Sequence, residues 1–148
     1  MKKLLYSLFL VLGLAFVSNV SAQESVIPNP DPNAADLKFE SEVIDFGVLE
    51  YDANGIREFK FTNAGKSPLT ITAVTAECGC TTTTIDGKQG WPSEPILPGK
   101  SGVIKIKYDT KRVGRFEKNI TVTSNAKFSS KKVRITGTIK AKPGEEGN

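Results

Sequence analysis

Val133-Arg134-Ile135-Thr136-Gly137-Thr138-Ile139-Lys140 is the stretch that decides the fold. Val133, Ile135, Gly137 and Ile139 share one parity, while Lys132, Arg134, Thr136, Thr138 and Lys140 share the other. Successive side chains of a β-strand point to opposite faces, so a period of two describes a strand with one dry and one wet side. The same period recurs upstream. Ile104, Ile106 and Tyr108 alternate with Lys105, Lys107 and Asp109. Phe116, Ile120 and Val122 share a parity, with Glu117, Asn119, Thr121 and Thr123 opposite. Arg57, Phe59 and Phe61 alternate with Ile56, Glu58, Lys60 and Thr62, and Leu69 and Ile71 with Thr70 and Thr72. The pattern predicts a core containing Phe59, Phe61, Ile71, Ile104, Ile106, Ile120, Val122, Val133 and Ile135. No window of similar length carries a helical stripe.

Turn signals punctuate these runs: Asn54-Gly55, Asn63-Ala64-Gly65, Asp86-Gly87, Pro98-Gly99 and Ser124-Asn125. About seven short strands in roughly 100 residues predict an all-β, Ig-like antiparallel β-sandwich spanning residues 37–141. A small closed barrel is the competing fold. Ig-like here means architecture only, because the two cysteines are too close in sequence to form an inter-sheet bridge.

Composition excludes whole classes of chemistry. The 148 residues include no histidine, so there is no Ser-His-Asp triad, Cys-His pair, HExxH zinc site or His-ligated haem. Met1 is the only methionine, and two cysteines cannot complete a four-thiolate zinc site in a monomer. The residues assign no catalytic group, no metal ligand set and no cofactor.

The N-terminus reads as an address. Lys2 and Lys3 precede an apolar run from Leu4 to Val17, followed by Val20-Ser21-Ala22. This is the basic, apolar and small-residue order of a signal peptide over residues 1–22, with Gln23 the first mature residue. The run is short for a membrane span of about 20 residues. Removing Lys2 and Lys3 lowers the net charge from +4 to +2. Residues 23–36, with Pro28, Pro30 and Pro32, read as an extended linker, and residues 142–148 as a polar tail. Export would place the cysteines where a disulfide persists.

Several elements together resemble a known bacterial family. They are Asp45-Phe46-Gly47, Phe59-Lys60-Phe61-Thr62-Asn63-Ala64-Gly65, Pro68-Leu69-Thr70-Ile71 and Cys78-Gly79-Cys80-Thr81. Pro95-Ile96-Leu97-Pro98-Gly99-Lys100-Ser101-Gly102, Tyr108-Asp109-Thr110, Gly114-Arg115-Phe116 and Thr123-Ser124-Asn125 complete the set. The chain is similar, over about two-thirds of its length, to domain-of-unknown-function family 1573. The resemblance implies export and an Ig-like, HYDIN/PapD-like sandwich. It implies no activity and no catalytic residue.

Cys78-Gly79-Cys80 is the one element of chemical interest. Cysteines two apart on a strand share a face, with Gly79 the residue best able to bend between them. Three readings stand: two buried structural thiols, a disulfide across one residue, and a thiolate pair for a soft metal such as Cu(I). Glu77 beside them would disfavour a thiolate, and no thioredoxin-like βαβ pattern accompanies them. Thr81 to Thr84 read as a strand with hydroxyls facing water. Trp91, in Gly90-Trp91-Pro92, is either a ligand-contact loop or a side chain folded over the end of the core. Asn119-Ile120-Thr121 fits a glycosylation acceptor that is accidental in a bacterial protein.

Charge is unevenly spread. Residues 23–98 hold five Lys/Arg against twelve Asp/Glu, and residues 99–142 hold thirteen against two. Pairing of acidic with basic strands explains this without a basic patch, because the lysine-rich strands should fall on opposite sheets. Nucleic acid is not an expected partner. The sequence therefore describes an exported, non-catalytic binding or structural module of the periplasm or cell surface. Its expected partner is a protein or an envelope component, and it is not an integral membrane protein. A small thiol–disulfide or soft-metal protein using Cys78 and Cys80 is the alternative.

Overall fold

A computed structural model describes residues 28–144. The expected signal peptide over 1–22, the start of the proline-rich stretch and residues 145–148 lie outside the described residues. Among the described residues ten strands form: β1 (Leu37–Phe39), β2 (Val43–Leu49), β3 (Ile56–Asn63), β4 (Ile71–Ala76), β5 (Thr81–Thr82), β6 (Thr84–Ile85), β7 (Lys88–Gln89), β8 (Ser101–Tyr108), β9 (Gly114–Ser124) and β10 (Ser130–Ile139). One sheet has the order β1-β3-β8-β5 and the other β2-β10-β9-β4; β6 and β7 form a separate hairpin. The hairpin turns at Asp86-Gly87, both with positive φ (51° and 73°), as a tight primed turn requires.

The two inner faces make the core. All nine residues expected there are buried, among them Phe61, Ile104, Ile106, Ile120, Val122 and Ile135 at 0% exposure. Each such side chain contributes about 1.5–3 kcal/mol relative to exposure. Lys105, between two fully buried isoleucines, is exposed.

Two features depart from the expected pattern. The count exceeds seven because three elements, β5 to β7, are only two residues long, and β1 only three. One pairing is parallel: β2 runs alongside β10 from Arg134↔Val43 to Ile139↔Leu49. The remaining strand pairs are antiparallel. A parallel neighbour cannot be reached by a tight turn, and here the rest of the domain serves as the connection. The β2–β10 register shifts between Thr136 and Thr138, opposite Gly47, whose φ is 66°.

Glycines meet phenylalanines directly across the ladders. Gly102 pairs with Phe61, and a Cβ there would lie 2.6 Å from Phe61 Cζ. Gly137 pairs with Phe116, and a Cβ there would lie 2.7 Å from Phe116 Cζ. Each ring covers the space its glycine leaves open.

The proline-rich stretch is fastened to the domain from Asn29 onward. Asn29 N–H donates to Lys127 O at 2.7 Å, Lys127 N–H to Ala35 O at 2.7 Å, and Ser67 Oγ to Asn33 O at 2.6 Å. Ala35 is buried and bridges Ala126. The anchor is Asn63, a fully buried side chain with four hydrogen bonds. Its Nδ2 donates to Ser67 O and Ile96 O, while its Oδ1 accepts from Asp36 N–H and Gly65 N–H. A Cβ on Gly65 would collide with the Ala34–Asp36 backbone.

Candidate functional site

Cys78-Gly79-Cys80 occupies the crossover between the two sheets. β4 is the edge of one sheet and β5 the edge of the other, and the chain passes from β4 to β5 within four residues. The cysteines do not sit on a strand, as the spacing suggested. They form a turn closed by Thr81 N–H donating to Cys78 O at 3.2 Å. The ladder cannot continue, because the chain must leave one sheet to pair with Tyr108 and Lys107 in the other.

The two sulfurs are joined as a disulfide, with Cα atoms 5.2 Å apart. This is the arrangement that the disulfide reading, one of the three, expects. A three-residue loop gains only about 1.6 kcal/mol from the loop-entropy relation. Backbone hydrogen bonds hold the turn independently: Glu77 N–H to Asn119 O on the β9 side, and Asp109 N–H to Cys80 O at 2.9 Å on the β8 side. Cys80 is buried at 4% exposure and belongs to the core, whereas Cys78 is half-buried and Gly79 is exposed. Gly79 is not required sterically. Its φ is not positive, and a Cβ there would meet nothing within 4 Å.

Glu77 is bonded across to β9. Its Oε2 accepts from Asn119 N–H at 2.9 Å and from Asn119 Nδ2 at 3.0 Å. The backbone and side-chain hydrogen bonds from Asn119 hold this carboxyl below its ordinary value of 4.5, with Lys118 and Lys132 acting in the same direction. Lys118 has inner-face parity, a position that the apolar pattern of β9 did not signal. Ala76 pairs with Ile120, and Glu77 bonds Asn119. The β4–β9 ladder ends there, and Lys118 lies two residues beyond Ile120 on β9.

The threonines after the motif do more than face water. Thr81 is buried, and Thr83 Oγ1 donates to Val74 O at 3.0 Å, tying the crossover back to β4. Trp91 is half-buried and packed against the core. Gly90 fixes its approach: Gly90 N–H donates to Thr83 O, and Gly90 O accepts from Lys105 N–H. Any Cβ on Gly90 would strike both the Lys105 and Thr83 carbonyls.

Acidic and basic strands pair within the molecule. Lys105 of β8 meets Glu58 of β3 at 3.2 Å, and Arg134 of β10 meets Glu117 of β9 at 2.8 Å. The lysine-rich strands β8 and β10 fall in different sheets. Among the described residues, no group of three or more His, Cys, Asp or Glu converges as a metal site, and no helix is long and apolar enough to cross a membrane.

Residues 37–139 match the family described as Protein of unknown function (DUF1573). No curated protein matches the chain significantly. Similar solved structures include a protein of unknown function from Porphyromonas gingivalis W83, at 18% identity and a TM-score of 0.59 over 72% of this chain and 48% of that one. The chain thus spans about half the length of that relative. PapD-like domain 7 of human CEP192 aligns at 12% identity and a TM-score of 0.56, over 82% of this chain and 98% of that one. VesC, a secreted serine protease from Vibrio cholerae, aligns at 13% identity and a TM-score of 0.53, over 70% of this chain and 23% of that one. At these identities the likeness is one of fold, an Ig-like, PapD-like sandwich. With its model matched across nearly the whole sandwich, the chain belongs to the DUF1573 family.

Proposed function

We propose that this chain is an exported, non-catalytic module that binds a protein of the cell envelope. The observation that carries the reading is the outer edge of β2. This seven-residue strand ends its sheet and presents Val43 at 42% and Val48 at 64% exposure. Edge strands offer backbone groups to a partner, and exposed apolar side chains beside them add contact area. The bulge at Gly47 limits the flat stretch, which disfavours indiscriminate edge pairing and leaves Val48 prominent. Export is supported by the Lys2-Lys3, Leu4–Val17 and Val20-Ser21-Ala22 order. The secreted protease among the fold relatives does not bring its chemistry along, since the chain has no histidine for a triad.

The test is affinity capture from envelope extract with the wild-type chain and a Val48→Lys variant of equal stability. A discrete set of envelope proteins held by the wild type and lost by the variant is expected. Identical capture by both chains would remove β2 as the binding edge, and capture of nothing by either would remove the binding role.

A further inference from the structure

We propose that the Cys78–Cys80 bridge is a thiol–disulfide exchange site that accepts electrons from a dithiol, with Cys78 as the sulfur attacked. This goes beyond the binding role and does not depend on it.

Four observations converge on this. The two cysteines differ in burial: Cys80 is 4% exposed and part of the core, while Cys78 is half-buried and packed against it. The residue between them is exposed and has no side chain, and nothing lies within 4 Å of where its Cβ would be. The surrounding charge favours an incoming thiolate. Glu77 is engaged by Asn119 on the opposite parity, and Lys118 has the inner parity of β9, two residues beyond Ile120, the last residue that pairs with β4. A cation beside a reacting sulfur stabilises thiolate character. Finally, the turn does not need the bridge to stay closed. Three backbone hydrogen bonds span it, from Glu77 N–H to Asn119 O, Thr81 N–H to Cys78 O and Asp109 N–H to Cys80 O. The sulfur–sulfur bond can therefore open and close while the two sheets remain in place.

The reaction runs in two displacements. A thiolate of the dithiol attacks Cys78 Sγ, forming a new sulfur–sulfur bond as the Cys78–Cys80 bond breaks. The bonding electron pair leaves on Cys80 Sγ, which takes a proton. The second thiolate of the dithiol then attacks its own partner sulfur in the mixed disulfide and displaces Cys78 as a thiolate, which is protonated in turn. Two electrons and two protons reach the cysteines, and the dithiol departs as a disulfide. In the reverse reaction the Cys78 thiolate attacks a partner disulfide and Cys80 displaces it, so that the partner is reduced to a dithiol and Cys78 and Cys80 are paired again.

The experiment uses the folded full chain in buffers of fixed reduced-to-oxidised dithiothreitol ratio, quenched by alkylation and read by mass spectrometry. Near-ultraviolet circular dichroism of Trp91 reports the fold in parallel. Reversible reduction with the Trp91 signal retained is expected. Single-cysteine chains locate the entry sulfur. With oxidised glutathione, Cys78 in a Cys80→Ser chain should react about tenfold faster than Cys80 in a Cys78→Ser chain. A Lys118→Glu substitution should slow reduction of the native bridge by about threefold at low salt. Reduction only where the Trp91 signal is lost, equal rates in the two single-cysteine chains, or a Lys118→Glu chain as fast as the wild type would each overturn the proposal.

Discussion

Tyr108 lies flat on Phe116, with ring centroids 3.8 Å apart and planes 15° from parallel, and the two rings come from opposite sheets. Phe46 meets Phe116 edge-on at 5.4 Å, and the Arg57 guanidinium sits 4.5 Å above the Phe46 ring. These contacts join β2, β3, β8 and β9 at one end of the sandwich. Phe116→Ala should cost about 3–5 kcal/mol. Gly137→Ala, which would press a methyl into Phe116 and Phe46, should cost about 1–3 kcal/mol. Urea denaturation with an unchanged slope checks both. A neutral Gly137→Ala would mean that the rings move aside freely.

Strand β8 gives a sharper internal control. Ile104 and Ile106 are fully buried, and Lys105 between them is exposed and paired with Glu58. Ile104→Ala and Ile106→Ala should each cost about 2–5 kcal/mol. Lys105→Ala should change stability by less than about 1 kcal/mol, because an exposed ion pair contributes little. Equal losses at all three positions would contradict the strand's two-faced assignment.

That alternation is why most of the fold was legible in the sequence. Strands β3, β8, β9 and β10 each have one wet and one dry face, and period two states this directly. Strand β2 was not legible by the same rule. Its bulge at Gly47 breaks the alternation, and most of its residues are exposed. The position of Cys78 and Cys80 was misread for a related reason: the pattern says nothing about where a chain leaves one sheet for another. Nor did it mark Lys118, a cation on an otherwise apolar parity, or Asn63, which reads as an ordinary turn residue. A buried polar hub has no periodic signature, since its partners are backbone groups distant in sequence.

Asn63 should be the costliest polar position. Asn63→Ala removes two donors and an acceptor from four buried contacts at once, and the groups left behind lose their partners. A loss on the order of 3 kcal/mol is expected from thermal or urea denaturation. Protease cleavage between Asn29 and Asp36 should accelerate in parallel, because Asp36 N–H and Gly65 N–H both bind Asn63 Oδ1. Rapid cleavage in the wild type would contradict the docking of this stretch.

Glu77 offers a pH-dependent test. Its carboxyl is held below 4.5 by the Asn119 hydrogen bonds, so its folded value lies under its unfolded one. The stabilisation is present above the unfolded value and is lost as pH falls through the folded value. Carbon-13 NMR titration should place Glu77 below 4.5, and Asn119→Ala, which removes the Nδ2 bond and keeps the backbone N–H bond, should move it part of the way up. A Glu77 carboxyl that titrates at or above 4.5 in the folded chain would contradict these hydrogen bonds.

The bridge between Cys78 and Cys80 is tested most directly by counting thiols in the chain purified from its own cells without reductant and then unfolded. The expected result is no alkylatable thiol, with a mass lower than that of the reduced chain by two hydrogens. Two free thiols per chain would contradict the bridge, and a disulfide-linked dimer would show that these cysteines join chains rather than close the crossover.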